Sequence, residues 1–515
     1  MKIGLYNEYW NTFGGGERHA GSIAEVLKEQ HEVELIATEP VDIPLLSSRL
    51  NMDLDGVGFR QWPHGSTFKH SYLTRDYDLF INSTYWSGLE SNAKYSLYLC
   101  FFPHELWPEW LSNVVSGNVR YMRWLVGGRI LPVSGYYMPE PTGHLWLEPV
   151  AQLLVHPLAI KSGMVKIPLF DNLNQNVYKV LGPGRGSLDF QIQGNELLVA
   201  LPFPCDKPVK VEIHSEPFSP QQEQRNNDMR KLGICLSAPR MHGRGGRGSL
   251  NRFMSKVDRY TLNRSRKFIN SYDTIIANSE YTRSWIRERW GRPSVILTPP
   301  IDTEVFRTAG GEEKKRIILS VGRFFAGGHN KKHLEMLRVF RKMYDNDLVP
   351  PGWEYHMVGA VHLENREHIE YFSEVRRMAE GYPIRIMADL PFEQLREEYR
   401  EASIFWHAAG WGENEKRNPE RFEHFGITTC EAMAAGCVPV VVAKAGQLEI
   451  VDGLTNGYLF HDEDELIKNT IKLFSMYEDG SISKLSLAAV KFVKRYDKEA
   501  FRKRLLSIID NLGCV

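Results

Sequence analysis

Twice along this chain, short apolar segments alternate with helical periodicity, and no other feature restricts the fold as much. In the first series Lys2–Tyr6, Val33–Ala37, Leu79–Asn82 and Ser96–Phe102 read as buried strands, with an amphipathic helix predicted over Arg18–Lys28. Strands that are apolar throughout need cover on both faces, so this alternation implies βαβ units around a parallel sheet. A second series starts after Pro299-Pro300. There Arg316–Val321, Trp353–Val358, Ile384–Met387, Ile404–His407 and Val438–Val442 are each followed by a helical pattern, and the chain from Ser481 onward reads as helical.

Between the two series the pattern changes. From Ile130 to about Met241 come short β-like runs at Gln152–His156, Val165–Pro168, Val177–Leu181, Leu197–Ala200 and Val209–His214, separated by Pro and Gly clusters. Helical periodicity is nearly absent, which predicts a small antiparallel β-sandwich. Because Tyr272–Asn278 restores a buried strand, the sandwich is expected to be inserted into the first α/β domain rather than appended to it. The expected architecture is α/β, with two Rossmann-like doubly wound domains and one inserted module. Residues 1–129 and 242–300 make the first domain, 130–241 the insertion and 301–480 the second domain, while 481–515 form helices that could cross back to the first.

Charge and hydropathy narrow the class. Lys plus Arg and Asp plus Glu each number 63, so bulk charge gives no reason for nucleic-acid binding. No apolar run reaches the ~18–20 residues of a membrane span. Met1 to Glu8 turns polar too early for a secretory signal. The six cysteines (100, 205, 235, 430, 437 and 514) show no C-x-x-C spacing. Reduced thiols in a cytoplasmic protein are the expectation, with no metal site among them.

Three motifs carry chemistry. Gly14-Gly15-Gly16-Glu17 opens the first helix after the first strand. Such a turn either serves only the chain reversal or lets backbone N–H groups approach a diphosphate. Gly322-Arg323 ends the first strand of the second series, with Lys331 and Lys332 following. These cations belong either to a solvated loop or to a phosphate site at the carboxyl end of a parallel sheet. The third is Glu423-His424-Phe425-Gly426-Ile427-Thr428-Thr429-Cys430-Glu431, leading into Ala434-Ala435-Gly436. Were both glutamates on one helix, a rise of ~1.5 Å per residue would set them ~12 Å apart, too far for the acid and nucleophile of a retaining glycosidase. That spacing suits a grip on two parts of one extended ligand. A glutamate complementing a helix dipole would account for one of them, not both.

This last run resembles the E-x7-E signature of retaining glycosyltransferases of family 4, which have the GT-B fold. The glycine run near the N-terminus, Phe102-Pro103-His104, Ser320-Val321-Gly322-Arg323 and Ala434-Ala435-Gly436-Cys437-Val438-Pro439 stand in the matching order, and the likeness takes in everything outside the insertion. Glu-His-Phe-Gly-Ile is similar in wording to the dolichol-linked α-1,2-mannosyltransferases of eukaryotes. The resemblance implies transfer of a hexose, with retention, from a GDP- or UDP-sugar to a glycan or lipid-linked acceptor in polysaccharide or glycoconjugate synthesis. It implies that Arg323 and Lys331 neutralise the leaving diphosphate without a metal or resident cofactor. Lys331 suits this better than Lys332, because Leu337 and Phe340 then fall at the matching apolar offsets. Glu431 would bind the ribose, and Glu423 with the backbone of Phe425, Gly426, Ile427 and Thr428 would hold the donor sugar. Gly15 and Gly16 would approach the phosphates, and His104 would lie across the cleft near the donor sugar, unless it is simply a structural histidine.

Two segments stand apart. Arg240 to Lys267 carries nine Lys/Arg and one acid, either a dock for anionic lipid headgroups or a phosphorylated acceptor, or a solvated basic face. That would leave the protein cytoplasmic, peripheral at the inner face of a membrane. The insertion is either a carbohydrate-binding accessory or a spacer and dimerisation surface, with Trp146 a candidate for stacking on a pyranose or for the module's core. The competing function is a catalytically silent glycan-binding protein working through that module. Intact Arg323, Lys331, Glu423 and Glu431 count against it.

Overall fold

The computed structural model describes residues 1–63, 67–106, 130–137, 145–170, 176–201, 207–217, 232–237, 266–307, 314–361 and 366–513. Its N-terminal domain is built on a seven-stranded parallel sheet in the spatial order Gly58–Gln61, Glu32–Ala37, Lys2–Tyr6, Leu79–Asn82, Tyr95–Cys100, Thr274–Ala277, Val295–Ile296. The C-terminal domain has six parallel strands ordered Ile384–Ala388, Glu354–Gly359, Lys315–Val321, Ala402–His407, Val438–Val442, Tyr458–Phe460. Counted along the chain, the sheets run 3-2-1-4-5-6-7 and 3-2-1-4-5-6, the doubly wound order that reverses between its first and fourth strands. In such sheets ligands bind beyond the carboxyl ends of the strands at that reversal. The first-strand loops, Asn7–Gly14 and Gly322–Lys332, are therefore where chemistry is expected.

The chain does not pass directly from the first strand into the first helix. Trp10–Thr12 forms a 3-10 turn whose indole is buried and donates from Nε1 to the Ile36 carbonyl at 3.2 Å. The helix then begins at Gly15, not Arg18, and runs to Leu27. Glu17 sets that start: its carboxylate accepts from the Gly14 N–H and the Thr12 hydroxyl, both at 2.8 Å. Gly15 and Gly16 therefore lie in the first helical turn.

Residues 130–236 interrupt the N-terminal sheet between Tyr95–Cys100 and Thr274–Ala277, which pair with each other directly. They contribute two antiparallel sheets, of five and four strands. Leu153, Val155 and Val211 from one and Val165, Ile167 and Leu197 from the other share a single core. Trp146 is 3% exposed and packs with Phe170, Leu232 and Cys235, so its indole belongs to the core and presents no face to a sugar. Residues 238–265, and with them most of the basic segment Arg240–Lys267, lie outside the described residues. Among the described residues no helix is long and apolar enough to cross a membrane.

The C-terminal tail divides between the domains. Helix Ile482–Val493 packs on the C-terminal core through Ala489 and Val493. Helix Lys498–Asp510 returns to the N-terminal core, where Phe501, Leu505, Ile508 and Ile509 join Ile3, Leu5 and Ile23. At the crossing Asp497 bridges in parallel to Ile301, so two lengths of chain join the domains side by side.

Away from the cleft, His356 is buried between the carboxylates of Glu398 (2.6 Å) and Glu354 (3.0 Å), the latter also held by Arg385 (2.8 Å). Burial disfavours its charge, but the two glutamates outweigh that and raise its pKa above the usual 6.5. A raised histidine stabilises the fold fully below the unfolded pKa and loses that contribution as pH rises through the folded one. Urea unfolding of His356→Gln should accordingly show its largest deficit near pH 6 and a shrinking one by pH 9, roughly the span above an unfolded pKa of ~6.5. A deficit that grows toward alkaline pH would contradict the assignment.

Candidate active site in the interdomain cleft

The strand Lys315–Val321 delivers Gly322 and Arg323 to the cleft, and helix His333–Asp345 begins after a loop carrying both lysines. A Cβ on Gly322 would stand 2.7 Å from Cγ of Lys331, so the missing side chain is what lets Lys331 lie across the strand end. Lys332 adopts a left-handed φ of 62°, which sends the neighbouring lysines to different partners. Lys332 pairs with Glu413 at 2.8 Å, whereas Lys331 reaches Oε2 of Glu423 at 2.5 Å. Arg323 is exposed and has no ion-pair partner among the described residues.

Glu423 has a second partner that sequence reasoning missed. His407 ends the strand next to Lys315–Val321, at the topological reversal, and its Nε2 lies 3.0 Å from Glu423 Oε2. Its Nδ1 faces the Gln447 Nε2 amide at 3.2 Å. An amide N–H can only donate, so Nδ1 accepts and the imidazole proton sits on Nε2, the nitrogen nearer the carboxylate, without a well-aligned hydrogen bond to it. Burial keeps this histidine neutral by lowering its pKa against the opposing pull of Glu423. Burial by itself would raise the Glu423 carboxyl, but Lys331 and then His407 outweigh it and hold the group well below the usual carboxylate range.

The two glutamates do not share a helix. Helix Ile427–Ala434 starts after Glu423, with Gly426 as its N-cap at φ 120°, and only Glu431 lies on it. A side chain at Gly426 would meet Gln447 and Ile450 at 3.0 Å besides being strained by that φ. Phe425 is 2% exposed and packs edge-on against Tyr496 at 5.1 Å, which leaves only its backbone for a ligand. Ile427 and Thr428 occupy the first turn, whose N–H groups have no intrahelical acceptor.

Glu431 is 5% exposed and already engaged from both sides. The Tyr399 hydroxyl donates to Oε2 at 3.0 Å, and Arg18 of the N-terminal domain pairs with Oε1. On the same helix, Gly15 abuts Ile427, a Cβ there falling 2.9 Å from Ile427 Cδ1, and Gly16 rests on the Phe101 ring. Arg18 stands two residues after the glycine run, which was its only sequence signal; Tyr399 had none. Elsewhere the domains meet through rings: Phe102 stacks on His424 at 4.4 Å, and Tyr85 meets His329 edge-on at 6.3 Å. His104 lies on the N-terminal side, 4% exposed, stacked on Phe268 at 5.3 Å and tilted toward Trp86 at 6.2 Å. Lys331, Glu423, His407 and Gln447 thus form one cluster, Arg18, Glu431 and Tyr399 a second, and His104 belongs to a separate aromatic group.

Residues 302–481 match the family described as glycosyl transferases group 1. The human GDP-Man:Man(3)GlcNAc(2)-PP-Dol alpha-1,2-mannosyltransferase is 26% identical over 256 residues, 47% of this chain and 49% of the relative. The chain thus spans about half the length of the first curated relatives it matches, between 48% and 49% of each. Similar solved structures cover nearly the whole chain. Sucrose-phosphate synthase from Thermosynechococcus elongatus has a TM-score of 0.53 at 13% identity, covering 100% of this chain and 99% of its own. Anabaena Alr3699/HepE in complex with UDP has a TM-score of 0.52 at 11% identity, covering 99% of this chain and 100% of its own. Two doubly wound domains facing across a cleft, with solved structures of the same architecture covering nearly the whole chain, make this a chain of GT-B fold that is similar over residues 302–481 to glycosyl transferases group 1.

Proposed function

We propose that the protein is a retaining, metal-independent glycosyltransferase of family 4 type that moves a hexose from a nucleoside-diphosphate sugar to a glycan or lipid-linked acceptor. The observation that carries this reading is the cluster of Lys331, Glu423 and His407 at the topological reversal, with Arg323 at the neighbouring strand end free of ion pairs among the described residues. Cleaving the anomeric bond builds positive charge on the sugar and negative charge on the departing diphosphate. Preplaced Arg323 and Lys331 stabilise the second charge without reorganising, in the place a metal would otherwise take. Glu423, kept ionised by Lys331, accepts hydrogen bonds from the hydroxyls of the donor sugar. Attack by the acceptor on the face the diphosphate leaves retains configuration, and closure of the two domains excludes water.

The mannosyltransferase names GDP-mannose and a dolichol-linked acceptor, which puts GDP-mannose first among the donors to test. A lipid-linked acceptor would bring the protein to the cytoplasmic face of a membrane, where Arg240–Lys267 offers charge to anionic headgroups.

The test incubates the purified protein with GDP-mannose or UDP-glucose, with and without EDTA, and follows nucleotide release and the anomeric configuration of the product by NMR. Turnover unaffected by chelation, with a retained anomer, is the expected result. Loss of turnover restored by Mg2+ would overturn metal independence, and an inverted anomer would overturn the mechanism. Glycan binding with no turnover of any nucleotide sugar would favour the silent reading.

A further inference from the structure

We propose that Arg18 is a phosphate ligand of the donor site, held on Glu431 until a nucleoside diphosphate exchanges it. On binding, the ribose hydroxyls take Glu431 and the phosphates take Arg18. The proposal rests on the reading of the cleft as a donor site.

Both oxygens of Glu431 are already occupied, Oε1 by the Arg18 guanidinium and Oε2 by the Tyr399 hydroxyl. Each oxygen could accept a second bond, but Glu431 is only 5% exposed with both partners in place, so ribose hydroxyls reach it by displacing one of them. Tyr399 is 0% exposed, lies on helix Phe392–Glu401 of the same domain and is wedged edge-on against Phe306 at 5.3 Å. It has nowhere to withdraw. Arg18 comes from the opposite domain on a long aliphatic stem, so it is the partner that leaves.

A guanidinium whose side chain is 15% exposed does not leave a carboxylate without a substitute anion. The neighbouring carboxylate, Glu17, is taken up by the Gly14 N–H and the Thr12 hydroxyl. The incoming ligand supplies what is missing. Arg18 lies in the first turns of helix Gly15–Leu27, three residues after Gly15, which abuts Ile427 at the start of the Glu431 helix. A short swing thus carries it from the ribose position toward the phosphate position. The planar fork of arginine suits both oxyanions.

A diphosphate and a bare nucleoside should then behave differently. The nucleoside must break the Arg18–Glu431 pair and offers nothing in return, whereas the diphosphate replaces it. Calorimetric titration of the full chain with GDP and with guanosine, in wild type and Arg18→Gln, reads this directly. The ratio of guanosine Kd to GDP Kd should fall by about tenfold or more in the variant, the worth of one charge-assisted contact. Guanosine itself should bind as well or better, because Glu431 is released. Arg18→Lys should recover part of the ratio and shows that the effect follows the charge. A ratio within about twofold of wild type, or guanosine weakened as much as GDP, would overturn the proposal alone. If GDP, UDP and ADP all fail to bind the wild type, the donor-site reading falls and the proposal with it.

Discussion

Lys331→Ala is expected to lower transfer by about a thousandfold while leaving the protein folded. Loss of one preorganised electrostatic contact at a developing charge costs ~10²–10³ in turnover. Lys331 does more than that, because it is also the cation that keeps Glu423 ionised at 2.5 Å. Removing it leaves a partly buried carboxylate facing a neutral histidine, so the Glu423 pKa rises. The acid limb of the residual activity should therefore move to higher pH than in wild type, a shift that lost phosphate contact by itself would not produce. Lys332→Ala provides the control. Its partner is Glu413 and not Glu423, so its loss should lower turnover far less than the loss of Lys331. Initial rates at saturating donor across pH 5–9, with thermal melts of both variants, check the prediction. Equal losses in the two variants, or wild-type turnover in Lys331→Ala, would remove Lys331 from the site. Arg323→Ala should resemble Lys331→Ala in rate but not in the pH shift, since Arg323 has no bond to Glu423.

Gly359→Ala should be the most damaging methyl that can be added near the cleft. Its Cβ would fall 2.0 Å from the carbonyl oxygen of Gly322 and 2.8 Å from the carbonyl carbon, both backbone atoms that no rotamer can move aside. Gly322 is pinned there by its own N–H bond to the Val358 carbonyl at 2.9 Å, and its oxygen lies 3.2 Å from Nε2 of His333. The strands must part at the residue preceding Arg323. Overpacking of this kind costs ~1–3 kcal/mol, which in a domain of ~150–250 residues lowers Tm by several degrees. Because the displaced segment carries Arg323 and clears the path of Lys331, donor affinity should fall along with stability. Gly186→Ala is the contrast, since a Cβ there meets nothing within 4 Å and its φ is −67°. It should change neither quantity measurably. Melting curves and nucleotide titration of both variants decide the matter, and a Gly359→Ala protein that melts with wild type would show that the strand ends are slack.

Both parallel sheets were legible in the chain because their central strands are buried on two faces and are therefore nearly all apolar, as Leu79–Asn82 and Val438–Val442 are. Gly58–Gln61 and Val295–Ile296 were not, being edge strands, two to four residues long and only partly buried. The same division runs through the candidate site. Gly322-Arg323 and Glu423 to Glu431 could be read as chemistry because glycines, cations and acids there follow strand ends and open helices, local features that neighbouring residues encode. The preference for Lys331 over Lys332 rested on the resemblance, while a left-handed φ at Lys332 is what sends the two lysines to different partners. His407 looked like one more residue of an apolar strand until the reversal of strand order set it beside Glu423. Trp146 could have gone either way and turned out to be buried, because Phe170, Leu232 and Cys235 cover it on the face of its strand opposite Leu145 and Leu147. The Arg18–Glu431 pair joins residues 413 positions apart. Sequence alone thus determined the central strands and the motif positions, which depend on neighbours in the chain. Only the tertiary structure decided the partners, because burial and closure of one domain on the other bring together charges that no local spacing relates.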